Sequence, residues 1–228
     1  NHMYTFMLWM GDDVNGKELA SHMYRPDADG VRQANYNYAW YNNPYFATNE
    51  LQQKHDRNTT NGQLKLNWDV LPGFSVQGRA SGRLTSTFED MESPKSYMNY
   101  GDSRNGDYKT WNEDQLDVNT DLLATWSRAF SKDAAFTLNA GSSLFYRQLR
   151  TSNQSTDGLI VPRVYNLSNS LNPVSANNSL IEKAIESLYG SLNVDLFESV
   201  FLTFTGRNDW SSTLSSSNNS YFYPSVSL

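Results

Sequence analysis

Few residues of this 228-residue chain have the types and spacing that catalysis or metal binding needs. Its histidines, His2, His22 and His55, show neither the HExxH spacing of a zinc site nor an acidic cluster beside them. Cysteine is absent, which excludes a thiolate metal site, a cysteine nucleophile and a disulfide framework. Two acidic runs, 12–16 and 27–30, faintly resemble calcium loops. They lack the EF-hand spacing and its closing glutamate, so we interpret them as turns.

Acidic residues also occur as adjacent pairs, and adjacent side chains on a strand or loop tend to point apart. A glycosidase needs two carboxylates that face each other about 5–9.5 Å apart across a cleft. The pairs are Asp12/Asp13, Glu89/Asp90 and Glu113/Asp114. We therefore predict that the protein is not an enzyme and has no catalytic residue, metal site or cofactor. A glycosidase is the weakest of the alternatives.

Aromatic residues in polar segments are the candidates for contact with a cargo or a partner. Aromatic faces stack on sugar rings, and neighbouring amides bond to hydroxyls, so the segment 36–46 could form a glycan platform. Packing against the rest of a large protein is the alternative that we favour for that segment. The candidate contacts are Tyr36, Tyr38, Trp40, Tyr41, Tyr97, Tyr100, Tyr108 and Trp111.

The composition excludes several classes of protein. Aromatic residues make up 14% and charged residues only 18%, whereas disordered chains are usually poor in aromatics and rich in charge. The net charge of −6, with scattered lysine and arginine, does not fit the basic stripe of a nucleic-acid-binding protein. No run of 18 or more apolar residues is present, which excludes a helical membrane protein.

Alternation of apolar and polar residues with a period of two is the strongest pattern, and it predicts β-strands. It occurs in three pairs of segments, and each pair is joined by a short turn. An opening strand is also expected at 3–10. The paired segments are 61–70 with 74–84, 116–126 with 136–147, and 187–196 with 200–209.

The connections between these hairpins are long and polar, so short and long connections alternate along the chain. The long segments are 11–60, 86–115, 151–183 and 210–221. Strands of about 10–15 residues with this alternation predict an all-β, antiparallel transmembrane β-barrel segment with short periplasmic turns and long extracellular loops. A soluble extracellular β-sandwich that binds carbohydrate is the alternative.

Five motifs carry a resemblance to a known family. TGRNDWSSTL lies at 205–214 and NNSYFYPSVS at 218–227. Earlier in the chain are MLWMG at 7–11, NNPYF at 42–46 and RNTTNG at 57–62. Together they resemble the SusC/RagA family of TonB-linked outer-membrane proteins, and they occur in the order in which that family has them. The resemblance covers essentially the whole chain.

The resemblance implies a 22-stranded barrel in the bacterial outer membrane, filled by a plug and driven by the TonB complex. It implies a SusD-like lipoprotein partner and a cargo of oligosaccharide or, less often, peptide. The chain would be an internal piece of about eight strands, and the plug domain and C-terminal strands would be absent from it. The motif residues that we expect to be structural are Asn43, Pro44, Arg207, Asp209, Trp210 and Pro224, with Pro224 opening a strand.

Overall fold

The fold is one antiparallel β-sheet whose seven strands pair in sequence order. The structure, a computed structural model, describes residues 2–25, 30–37, 41–97 and 105–228. Within those residues the prediction of an antiparallel all-β fold is confirmed. The strands are β1 Gln52–Leu71, β2 Phe74–Pro94, β3 Gly106–Ala129, β4 Ala134–Leu159, β5 Ser170–Leu196, β6 Val200–Ser211 and β7 Ser220–Ser227.

In the described part of the chain, three short helices precede the sheet, and the first replaces a predicted strand. They are α1 His2–Trp9, α2 Gly16–Ser21 and α3 Pro44–Glu50, and a 3-10 turn lies at Leu167–Asn169. The prediction of a strand at 3–10 was wrong. That segment is a short, nearly continuous apolar run, and periodicity alone does not separate a strand from a helix in such a run.

The three short turns lie where the alternation breaks. They occupy 72–73, 130–133 and 197–199, between the paired strands. In the first, Gly73 has a φ of 81° and its carbonyl accepts a 2.7 Å hydrogen bond from the Ser127 N–H. In the third, Phe197 and Glu198 both have positive φ, and the Ser199 N–H donates to the Leu196 carbonyl at 3.2 Å.

The long loops were overestimated, because the strands continue well into them. β1 to β5 are 20 to 27 residues long, against the 10–15 expected. Only 95–105 and 160–169 separate β2 from β3 and β4 from β5, so the predictions of loops at 86–115 and 151–183 were wrong in extent. Alternation of apolar and polar residues identifies a strand only where one of its faces is apolar. Where both faces are polar, the pairing of backbone groups continues without that pattern.

The chain divides into two compact units. Unit 1 comprises Asn1–Arg57, Thr87–Glu113 and Thr151–Ser179. It holds the three helices and the connections 95–105 and 160–169. Unit 2 comprises Asn58–Ser86, Asp114–Arg150 and Leu180–Leu228, and it holds the three short turns.

Pro224 lies inside β7 and does not open it. β7 begins at Ser220, and Pro224 is the register partner of Gly206 on β6. Proline lacks an N–H donor, but it is tolerated on the last strand of a sheet because the missing donor can face away from the neighbouring strand. The expectation that this proline starts a strand was therefore wrong by four residues.

We expect Gly73→Val to destabilise unit 2. A Cβ at this position would lie 2.4 Å from the backbone oxygen of Ser127, on a residue whose φ is positive. The free energy of unfolding should fall by about 2–4 kcal/mol because neither the backbone nor its neighbour can shift cheaply. The matched control is Gly62→Val, where nothing lies within 4 Å of the added Cβ. Equal urea midpoints for the two variants would contradict this explanation of the turn.

Candidate functional site

One face of the sheet in unit 2 is apolar and exposed. Leu66 and Trp68 of β1 keep 65% and 67% of their side-chain surface exposed, and the pattern repeats on each later strand. A contiguous apolar face of this kind is rare on a soluble monomer, so it marks a surface that contacts something apolar. Its large members are Leu64, Leu66, Trp68, Leu84, Leu122, Trp126, Leu138, Leu144, Leu188, Phe204, Phe222 and Val226.

The opposite face of unit 2 is polar, and three of its arginines are paired with carboxylates. Arg79 donates two hydrogen bonds to Oδ2 of Asp121, at 2.8 and 3.0 Å. Arg147 donates to both oxygens of buried Asp117, at 2.7 and 3.2 Å, and Gln115 donates to the same carboxylate. Because alternate side chains of a strand share a face, these residues lie opposite the leucines.

Neutral side chains extend this network across neighbouring strands. The Asn139 carbonyl accepts from Thr125 at 2.8 Å, and its amide donates to Ser191 at 3.0 Å. Farther along the sheet, Thr203 donates to Asn193 at 2.9 Å. The polar face of unit 2 is therefore a preorganised surface whose groups largely satisfy each other.

The predicted pair Arg207 and Asp209 belongs to this polar face. Arg207 donates to Asp209 at 2.7 Å and to buried Ser187 at 2.8 Å. Its guanidinium carbon lies 5.7 Å from the centroid of the Tyr189 ring, a cation–π geometry. Trp210 is the next residue of β6, so alternation places it on the apolar face.

Unit 1 contains an open cavity of about 430 Å³, and predicted contact Trp111 lines it. On each of β2 to β5, two odd-numbered residues that lie two positions apart line the cavity. The lining comprises Gln53, Glu89, Asp90, Met91, Lys109, Thr110, Trp111, Asn153, Gln154, Ser155, Ser175 and Asn177.

Sequence reasoning missed most of this cavity because it treated 86–115 and 151–183 as loops. The sequence signal for these strands was that side chains able to contact a ligand recur at every second position, as in Lys109 with Trp111 and Ser175 with Asn177. Predicted contact Tyr108 lies three residues from Trp111 and so on the opposite face of β3. Its phenol donates to Oδ2 of buried Asp90 at 3.4 Å.

Two of the predicted contacts at 36–46 belong to an aromatic stack. The Tyr36 and Tyr41 rings are stacked with centroids 6.3 Å apart. Phe6 meets Tyr36 edge-on at 5.4 Å, and Trp9 stacks on Tyr41 at 6.3 Å. This arrangement uses both tyrosines for packing against α1.

Tyr97 follows β2, where its N–H donates to the Pro94 carbonyl. Three predicted contacts lie outside the described residues: Tyr38, Trp40 and Tyr100.

Asn43, from the NNPYF motif, is fully buried and joins three segments of unit 1. Its amide donates to the carbonyls of Leu19 and Ala34, at 3.0 and 2.8 Å. Its side-chain oxygen caps α3 by accepting from the N–H groups of Tyr45 and Phe46. Pro44 then takes the first position of α3, where its fixed φ suits the helix and no donor is lost.

The connection 160–169 is held in place by a cluster around Glu50. The Arg163 guanidinium donates to Glu50 at 3.1 Å and lies 4.9 Å from the Tyr24 ring centroid, and the Tyr24 phenol also donates to Glu50. Tyr165 has a buried hydroxyl without a hydrogen-bond partner among the described residues. Burial, assisted by the nearby Glu50 and Glu92 carboxylates, raises the pKa of Tyr165 to about 12.

Two features are absent from the described residues: a metal-binding cluster of side chains and a membrane-spanning helix. No group of three or more histidine, cysteine, aspartate or glutamate side chains is arranged there to hold a metal ion. Part of the second calcium-like run, 27–29, lies outside those residues. No helix in the described part of the chain is long and apolar enough to cross a membrane.

Solved structures of the RagAB peptide transporter share this fold. One matches with a TM-score of 0.74 and 18% identity, the importer in its "open-open" state with 0.73 and 19%, and its "closed-closed" state with 0.74 and 18%. Each match covers 89% of this chain but only 22% of the other chain, so the chain spans less than a quarter of those proteins. No protein-family model matches the sequence, and no curated protein is significantly similar to it.

We expect Asn43→Ala to loosen the segment that contains α3. The substitution removes the helix cap and leaves the carbonyls of half-buried Leu19 and Ala34 without their donor, which should cost about 2–4 kcal/mol. Hydrogen exchange of residues 44–50 measures the effect. Asn43→Ser keeps a capping oxygen but loses the two donated bonds, so its loss should be intermediate. Unchanged exchange in the alanine variant would show that the amide does not hold these segments together.

Tyr165→Phe should reduce the loss of stability at alkaline pH. A phenol whose folded-state pKa is raised from 10 to about 12 contributes stability that is complete below pH 10 and lost as pH rises to 12. Near neutral pH, removing an unpartnered buried hydroxyl should be neutral or stabilise by about 1 kcal/mol. Thermal unfolding at several pH values tests both statements. An equally steep alkaline decline in the variant would contradict the assignment.

Proposed function

We propose that the chain forms part of the β-barrel wall of an outer-membrane importer. The observation that carries the proposal is the two-faced sheet of unit 2. Its exposed apolar face suits contact with lipid, and its hydrogen-bonded polar face suits a water-filled interior. A soluble sandwich would need a second sheet over the leucines, and the described residues form a single sheet.

The strand lengths and the positions of the aromatic residues support the same proposal. A tilted strand crosses a bilayer in about 9–11 residues, and β1 to β5 have 20 to 27. In this interpretation each strand extends beyond the hydrocarbon. Aromatic side chains near the short turns, among them Trp68, Trp126 and Phe136, would form an interfacial girdle on the periplasmic side. The Trp126 and Phe136 rings pack edge-on there, with centroids 5.1 Å apart.

The finer elements of the proposal follow from the sequence resemblance and from the names of the similar structures. We propose a 22-stranded barrel of which residues 1–228 are one part, energised by TonB through a plug and capped by a SusD-like lipoprotein. Peptide is the cargo we favour, because the similar structures are those of peptide transporters. Oligosaccharide is the alternative cargo. The chain performs no covalent chemistry in this proposal.

Two adjacent residues of β1 provide the sharpest test. Lys65 and Leu66 are both exposed but lie on opposite faces, and this chain has no cysteine. Each is replaced by cysteine in the full-length protein, with any cysteines elsewhere removed, and labelled in intact outer membranes. Leu66→Cys should react with a lipid-soluble maleimide and resist a charged one, and Lys65→Cys should show the opposite preference.

The labelling also has a matched pair on a second strand. Ser191→Cys replaces a half-buried serine on the polar face of β5 and Leu188→Cys an exposed leucine on its apolar face, so they should repeat the pattern. Reaction of both Leu66→Cys and Leu188→Cys with the charged reagent would reject a lipid-facing surface. It would then leave an apolar protein partner as the occupant of that face.

A further inference from the structure

We propose that the cavity of unit 1 is a subsite for one uncharged, apolar side chain of a bound peptide. This inference rests on the proposed function only for its choice of peptide as the ligand. The cavity volume of about 430 Å³ lies within the range of about 300–1,000 Å³ typical of ligand sites.

Apolar contact in the cavity comes from Trp111 and Met91. Trp111 lines the cavity and is 42% exposed, so its ring is available to a ligand. Methionine is unbranched and polarisable, and it adapts its shape to varied apolar groups. Both side chains line the cavity, so an aromatic or aliphatic group that enters it would bury apolar surface against them.

Polar contact is available from amides that the protein does not use. In the described residues, the side chains of Gln53, Asn153 and Asn177 make no hydrogen bond, although each lines the cavity. Unit 2 is different, since Asn139 there is bonded on both its oxygen and its nitrogen. Free side-chain amides can donate to and accept from the N–H and C=O groups of a peptide backbone.

The charges of the cavity favour a neutral group. The Glu89 carboxylate is already paired with His55, whose Nδ1 lies 2.5 Å from Oε1. Lys109 is exposed and can keep its ammonium group in water while its stem contacts the ligand. Asp90 also lines the cavity, and its Oδ2 accepts a hydrogen bond from the Tyr108 phenol at 3.4 Å. A charged peptide side chain of either sign would meet a like charge in the cavity, Lys109 for a cation and Glu89 or Asp90 for an anion.

The test compares two peptides on the purified full-length transporter by calorimetry. Both have blocked termini: Gly-Gly-Phe-Gly-Gly and Gly-Gly-Gly-Gly-Gly. We expect the phenylalanine peptide to bind about tenfold more tightly, because only its ring buries apolar surface in the cavity. Trp111→Ala should remove most of that difference. Asn177→Leu should weaken both peptides similarly, because the backbone is common to them.

The control variant is Trp126→Ala, which removes a tryptophan of matching exposure, 43% against 42%, from the apolar face of unit 2 and should leave both affinities unchanged. Trp111→Phe keeps an aromatic wall and should retain the preference even if Trp111→Ala folds poorly. A preference that survives in a folded Trp111→Ala protein overturns the proposal, as does failure of either peptide to bind. Binding of maltopentaose that depends on Trp111 also overturns it.

The cysteine labelling and the peptide comparison can fail separately. A lipid-facing Leu66 together with no peptide preference would leave the importer and reject the subsite. A peptide preference that depends on Trp111 together with aqueous labelling of Leu66 would leave the subsite and reject the barrel.

Discussion

Alternation of side chains across a paired strand is the constraint on which the rest of unit 2 depends. Once Asp117 and Asp121 are committed to one face, Leu122 and its neighbours must lie on the other. A register slip of one residue would move the leucines of that strand to the polar face. It would also separate Arg79 and Arg147 from their carboxylates on the neighbouring strand. The ion pairs and the apolar face therefore specify the same register. Because the backbone ladder satisfies its own hydrogen bonds, the apolar face can meet a medium that offers none.

Unit 1 uses a different device, a buried amide. Asn43 has two donors and one acceptor group, and all are satisfied by backbone from three segments. Such a group is costly to bury unless it is fully bonded, so it holds the surrounding loop in one conformation. The aromatic stack of Phe6, Tyr36, Tyr41 and Trp9 packs in the same unit. Residues that resemble a binding platform in sequence thereby acquire a packing role.

The two units differ in how their polar side chains are employed. In unit 2, arginine–carboxylate pairs and Asn139 bond to neighbouring strands, which suits a surface that should not bind what passes it. In unit 1, Gln53, Asn153 and Asn177 line the cavity beside Trp111 and Met91 and make no side-chain hydrogen bond to the described part of the chain, which suits a surface that binds. The same strand geometry supports both, because a face of alternate residues can be closed by mutual hydrogen bonds or left open to a ligand.

The sequence by itself determined the strands of unit 2, their short turns and the face on which each residue lies. Those features follow from local alternation, which is visible wherever leucines alternate with polar residues, as at 61–70. Only the tertiary structure decided the helix at His2–Trp9, the length of the strands and the cavity around Trp111. A continuous apolar run shows no alternation, so the pattern does not distinguish a helix from a strand. The sequence of a strand with two polar faces resembles that of a loop. The partners of Asn43 and Trp111 lie on distant segments, so only the folded chain brings them together.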